Sequence, residues 1–239
     1  MRRLPSRPRW DLPGASLARA LRFFAADYPT ALRLRFGQGS HRGTPPAEWA
    51  RGERAPVVLI PGVYEPWWYL EPIGRRLHAL GHPVVPVPTL AGNTRPIVAT
   101  SRLVADVLDG LDLRGVVLVA HSKGGIVGKH LMAFDDPDGR VARLVALATP
   151  FRGSGMASFI PTRAIREFRL TDPELRALRD RRDVDARITS VYPLLDPHIP
   201  EGSRLPGARN VPLRMGGHFG LLLAPAAIET VVREVGRAE

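Results

Sequence analysis

The chain is predicted to be an α/β protein with a mostly parallel central sheet and helices on both of its faces. Three observations lead there. Short β-branched runs recur at APVVLIPG (55–62), HPVVPVP (82–88), GVVLVA (115–120), ARLVALATP (142–150), ARITSVYPLL (186–195) and ARNVPLR (208–214). Stretches with helical spacing lie between or after them, near 67–80, 97–111, 123–134, 173–182 and 219–236. Several of the runs are apolar at nearly every position, as strands covered on both faces must be. With 239 residues, 44% of them hydrophobic, the chain can enclose one sizeable core.

The α/β domain is placed at 55–239, with 1–54 read as a basic N-terminal extension and linker. Within the extension, SLARALRFFAAD (16–27) puts Leu17, Ala20, Leu21 and Phe24 on one helical face, with Arg19 and Arg22 elsewhere. Such a face suits a peripheral contact with a membrane or lipid surface, but docking on the domain is the preferred reading. RFGQGSHRGTPPAEWARGERA (35–55), rich in Gly, Pro and charge, reads as a loop into the first strand.

The net charge of +11 is unevenly spread. Residues 1–54 hold 11 Arg against 4 acids, and residues 151–187 hold 9 Arg against 6, so the remainder is close to neutral. Lys123 and Lys129 are the only lysines. No basic sheet interleaved with aromatics and no recognition-helix pattern accompanies the charge, which argues against nucleic acid as a partner. Cysteine is absent, which excludes disulfides and thiolate metal sites. The start, MRRLPSRPRWDLPG, is charged but has no uninterrupted apolar stretch behind it, so the expected location is cytoplasmic.

The stretch LVAHSKGG (118–125) carries the functional signal. It sets Ser122 between a buried strand and a helix. At so sharp a turn the serine takes a strained backbone, and the residues two before and two after it must be small, as Ala120 and Gly124 are. Its hydroxyl would then stand above the carboxyl edge of the sheet, with the N-terminal amides of the helix beside it.

A serine hydroxyl is a feeble nucleophile near neutral pH and needs a histidine base oriented by an acid. Later in the chain, Asp196 lies in LLDPHIPEGS after a strand, and His218 lies in RMGGHFGLLLAP after the last strand, flanked by glycines that permit tight bends. Taken singly, Asp196 could be a turn former and His218 a packing residue. Their order after Ser122, at the ends of successive strands, makes the catalytic reading the stronger. His198 is the rival base, and His121 is expected to pack or hold the turn. For the oxyanion, VVLIPGVYEPWWYL (57–70) offers the amide of Val63 after Gly62, to pair with the amide of Lys123. The side chain of Lys123 is expected to face solvent. Tyr64, Trp67 and Trp68 follow at once and are candidates for walling an apolar substrate pocket.

From about residue 55 onward the chain resembles the α/β-hydrolase fold family, and within it small bacterial lipases and esterases whose elbow begins with Ala. The likeness rests on IPGVYEP, NTRPI (93–97), VAHSKGG, LATPFRGS (147–154) and SRLPGARNVPLRMGGHFGLL (203–222). It implies Ser122 as nucleophile, Asp196 as triad acid, His218 as base, and Val63 and Lys123 as oxyanion donors. The chain departs from the pattern at Pro61, where these lipases commonly have a His that braces the oxyanion loop. It departs again at Phe151 and Arg152, which stand in place of the His-x of a Thr-Pro-His-x-Gly stretch. Residues 1–54 have no counterpart in the smallest members.

The expected activity is hydrolysis of acyl esters, from a small molecule or a lipid, through an acyl-enzyme and with no cofactor or metal. An acyltransferase or thioesterase would use the same residues, a non-catalytic scaffold would be expected to have lost one of the triad, and a basic binding module would need none. The segment 151–185 is expected to be a lid, an acyl-site wall or a surface helical insertion.

Overall fold

The computed structural model describes residues 17–36 and 44–237, with side chains described at 25 and from 27 onward. Six strands form one sheet: β1 (Val57–Ile60), β2 (Val84–Pro86), β3 (Val116–His121), β4 (Val141–Leu147), β5 (Ile188–Leu195) and β6 (Arg209–Gly216). Their order is β2-β1-β3-β4-β5-β6 and every pairing is parallel. The central strands β1 and β3 are buried along their whole length. At the two edges β2 is only three residues long and ends in proline, while β6 alternates between partial and full exposure.

Alternate side chains of these strands feed two cores. Val58, Ile60, Leu118 and Ala120 meet helices α3 (Ile97–Gly110) and α4 (Lys123–His130) on one face. On the other, Val57, Leu59, Val117 and Val119 meet α2 (Glu71–His78) and α7 (Pro225–Gly236). Helix α1 (Leu17–Phe36) joins that second core through Leu34, which is fully buried, and Trp49 follows it there from a short 3-10 turn. The segment set apart as an N-terminal extension therefore contributes to the fold. The side chains of the apolar face assigned to Leu17, Ala20, Leu21 and Phe24 lie outside the described residues. Among the described residues no helix is long and apolar enough to cross a membrane.

The insertion between β4 and β5 holds two short helices, α5 (Arg163–Arg166) and α6 (Pro173–Asp180). Asp172 caps α6 by accepting the Leu175 N–H at 3.1 Å, and Pro173 opens it. Its one apolar side is buried through Leu175 and Leu178. Both lysines of the chain are buried on α4 and paired. Lys129 meets Asp185 at 2.7 Å. Lys123 does not face solvent as expected: it is fully buried, its Nζ donates to the Arg95 carbonyl at 2.5 Å, and it lies 3.3 Å from Glu167 of the insertion. The first turn of α4 lies against the insertion and the 95–97 segment, and a side chain starting there has no route to water. Burial pulls the Lys123 ammonium down and pushes the Glu167 carboxyl up, each partly opposed by the other's charge.

Two stability measurements follow. Leu34→Ala is expected to lower the unfolding free energy by about 2–5 kcal/mol in urea titration, the cost of a cavity in a closed core. Glu167→Ala leaves the Lys123 ammonium buried without its counter-charge and should cost about 3 kcal/mol, whereas exchanging both partners for apolar residues of similar volume should be close to neutral.

Candidate active site

The sheet reverses its direction of growth between β1 and β3, and the crevice at their carboxyl ends is where open α/β sheets present ligand sites. Ser122 sits there, between the last residue of β3 and the first of α4, at φ 51° and ψ −118°. Its amide donates to the Leu147 carbonyl at 2.8 Å, which pins the turn to β4. Gly124 is needed because a Cβ there would stand 2.2 Å from the Ile60 carbonyl oxygen. Gly125 is equally constrained, since its Cβ would stand 2.0 Å from Thr149 Oγ1; the small-residue requirement thus extends one position beyond the expected pair.

Asp196 follows β5 directly and His218 follows β6, so the parallel register delivers both to the same edge as Ser122. Asp196 Oδ2 and His218 Nδ1 are 2.7 Å apart and both side chains are buried. The other carboxylate oxygen, Oδ1, accepts the backbone N–H groups of His198 and Ile199 at 2.9 and 3.2 Å. Burial pushes the Asp196 carboxyl up, but the His218 and His198 imidazoles outweigh it and hold the group below the ordinary aspartate value. Burial likewise pulls His218 down, but Asp196, Glu65 and Asp27 hold it above the ordinary histidine value. The rival base, His198, offers its backbone rather than its ring to Asp196, and burial together with the His218 charge lowers it to about 4. Ser122 and His218 line one cavity, and no hydrogen bond joins the Ser122 hydroxyl to the imidazole among the described residues.

The loop after β1 holds Val63 at the mouth of that cavity. Its neighbours are bonded on either side: the Gly62 N–H donates to Glu65 Oε2 at 2.7 Å and the Tyr64 N–H donates to the Gly92 carbonyl at 2.6 Å. Among the described residues the Val63 N–H takes no such partner. Pro61, which departs from the pattern of the resembling lipases, offers its carbonyl to the Asn93 side chain at 2.8 Å. The loop is braced by Glu65, whose carboxylate also accepts from His121 Nδ1 at 2.8 Å. Glu65 and Asn93 were not singled out from the sequence, although both lie within the segments IPGVYEP and NTRPI that were. Glu65, His121 and His218 bring one ligand-type atom each within 4.8 Å of one another. The Glu65 carboxylate is already engaged by Gly62 and His121, and His218 Nδ1 by Asp196.

The cavity has a volume of about 360 Å³. Its apolar wall comes largely from the insertion, through Met156, Ile160, Ile165 and Phe168, and from Tyr69 and Phe219. Tyr64 lines it, but Trp67 and Trp68 do not; they wall a neighbouring cavity of about 540 Å³ that shares Tyr64 and Arg35. The 3-10 turn Trp67–Leu70 starts after Pro66 and stacks Trp67 edge-on against Trp49, which carries both indoles away from Ser122.

Asp27 of α1, buried at 3% exposure, accepts the backbone N–H groups of His218, Phe219 and Gly220. The only sequence signal is that it is the sole acid in a 20-residue helix with arginines.

No protein-family model and no curated sequence matches the chain. Among solved structures it is similar to Aspergillus fumigatus lipase B, with a TM-score of 0.63 and 18% identity over 78% of this chain and 54% of that one. It is also similar to a putative non-heme bromoperoxidase, BpoC, from Mycobacterium tuberculosis H37Rv, with a TM-score of 0.60 and 17% identity over 79% and 94%. The mature form of the Bacillus licheniformis lipase BlEst2 gives a TM-score of 0.58 and 15% identity over 78% and 92%. The chain spans about half the length of lipase B and 52% of BlEst2 in its propeptide form. Six parallel strands in this order, with helices on both faces and these neighbours, give the conclusion: the chain has the α/β-hydrolase fold.

Proposed function

We propose that the protein is a serine hydrolase of carboxylic esters. The observation that carries this reading is the buried 2.7 Å pair of His218 and Asp196, opening on the same cavity as a serine held at φ 51°. Three of the solved neighbours are named a lipase, a lipase and an enol-lactonase, which agrees with an acyl-transfer chemistry.

In this reading Ser122 Oγ attacks the ester carbonyl while His218 Nε2 takes its proton. The hydrogen bond between them forms as the substrate seats, since catalytic hydrogen bonds are often long before binding. Asp196 holds Nδ1–H and stabilises the imidazolium. The amides of Val63 and Lys123 receive the oxyanion, and loss of one such donor typically costs about 3 kcal/mol of transition-state stabilisation. The proton on Nε2 then passes to the departing alkoxide, leaving an acyl group on Ser122. Water attacks that ester with His218 again as base, and the released carboxylic acid and restored hydroxyl close the cycle. The apolar wall and the volume of the cavity, at the lower end of the roughly 300–1,000 Å³ common for ligand pockets, favour a compact apolar acyl group.

Two measurements test the reading. With p-nitrophenyl esters of graded chain length, Ser122→Ala is expected to lower turnover by roughly four to six orders of magnitude and to abolish labelling by a serine-directed phosphonate. A mutant retaining most of the wild-type rate would exclude Ser122. The base must be neutral to accept a proton, and its carboxylate neighbours favour the charged form. The profile of kcat/KM against pH should therefore be flat at high pH and fall on acidification with a midpoint above the ordinary histidine value of about 6.5.

A further inference from the structure

The loop that carries His218 is rich in glycine. Gly216 and Gly217 precede the histidine and Gly220 follows it, with Gly217 at φ 101°. The Gly217 N–H donates to the Leu195 carbonyl at 2.9 Å, and the next three amides are taken by helix α1. Asp27 Oδ2 accepts the His218 N–H at 2.5 Å, and Oδ1 accepts those of Phe219 and Gly220 at 3.2 and 3.4 Å. Three successive amides converge on one carboxylate, an arrangement suited to an anion. Gly217 is required for the approach, because a Cβ there would stand 2.7 Å from Asp27 Oδ1. The helix itself is fixed by Leu34 in the core and by the Tyr69 hydroxyl, which donates to the Ala31 carbonyl at 3.0 Å.

Among the described residues Asp27 meets no arginine or lysine, in a chain that carries 34 of them. Its nearest cationic candidates are imidazoles: His198 Nε2 lies 3.8 Å from Oδ2, and His218 hangs from the amide that Oδ2 accepts. A buried carboxylate without a strong counter-charge is expensive to keep: burial pushes the Asp27 carboxyl up, partly opposed by the amide and imidazole of His218. We propose that Asp27 is a positioning residue for His218, holding the histidine loop over the cavity and adding a negative charge beside the imidazole to those of Asp196 and Glu65. The proposal rests on the hydrolase reading for its effect on turnover, but not for its effect on the histidine.

The other titratable groups facing the imidazole are Asp196 after β5, Glu65 behind His121, His121 itself at 4.7 Å between ring centroids, and His198 at 4.9 Å. All are left in place by Asp27→Asn. That variant keeps one acceptor and loses the charge, so the acid limb of kcat/KM is expected to move to lower pH, with kcat down about tenfold and KM little changed. Asp27→Ala loses all three amide anchors to α1 and should lower kcat on the order of 10²-fold, the usual consequence of a misplacement of about 1 Å.

The titration of His218 can also be followed by NMR of its Cε1–H, without turnover and in a Ser122→Ala background. A wild-type protein inert to esters and phosphonates would overturn the proposed function, while the NMR midpoint would still test Asp27. A midpoint and acid limb unchanged in Asp27→Asn would overturn the positioning role, whatever the melting temperature. If Asp27→Asn does not fold, Asp27→Glu keeps the charge on a longer arm. It should hold the acid limb and lose kcat, and wild-type kcat in that variant would equally overturn the role.

Discussion

A non-glycine residue at φ 51° costs on the order of 1–3 kcal/mol, and Ser122 is held there by what surrounds it. The Leu147 carbonyl fixes its amide, and α4 is pressed so close to β1 that Gly124 has no room for a methyl group against the Ile60 carbonyl. That closeness has consequences beyond the serine. It brings the first turn of α4 beside the loop after β1, so the amides of Lys123 and Val63 come from two elements whose separation is set by the same contact. The crossover that puts β1 next to β3 is therefore what makes a common site out of residues 63 and 122.

Three buried carboxylates shape the rest of the crevice, and each is matched to fixed donors rather than to arginine. Asp196 takes the His218 imidazole and two amides, Glu65 takes the His121 imidazole and the Gly62 amide, and Asp27 takes three amides of the histidine loop. Two of these acids act on glycine-containing loops. Glycine lets those loops approach the sheet edge, and a carboxylate fixes the amides there, from within the same loop at Glu65 and from helix α1 at Asp27. His121 links the pair, with Nδ1 on Glu65 and Nε2 3.3 Å from the His218 carbonyl oxygen.

What could be read along the chain was what has a local cause. Fully apolar runs such as VVLI and VVLVA gave buried parallel strands, and the Ala120-x-Ser122-x-Gly124 spacing gave the elbow, because strand burial and turn sterics act between near neighbours. Asp196 and His218 were legible through their place after strands, since a parallel sheet delivers every strand end to one edge. Asp27 was not, because its amide partners lie 191 to 193 residues away and its helix looks merely basic and amphipathic. Lys123 was misread for a related reason. A lysine in a polar-looking turn is usually solvated, and only the tertiary placement of Glu167 makes a buried ammonium tolerable there. Trp67 and Trp68 follow the loop after β1 in sequence, yet a single 3-10 turn is enough to send them to the next cavity.

Lys123 joins two parts of the site that would otherwise be independent. Its amide lies at the start of α4 beside Ser122, while its side chain runs inward to Glu167, in the insertion that also supplies Ile165 and Phe168 to the cavity wall. Glu167 in turn accepts the Ile97 amide at the start of α3, at 3.4 Å, and Lys123 donates to Arg95 just before it. A displacement of the wall would have to separate this ion pair within an apolar surrounding, leaving the ammonium without its counter-charge. The electrostatic cost of that separation couples the shape of the cavity to the position of the Ser122–Lys123 turn, so the wall and the turn are tied together through one buried ion pair.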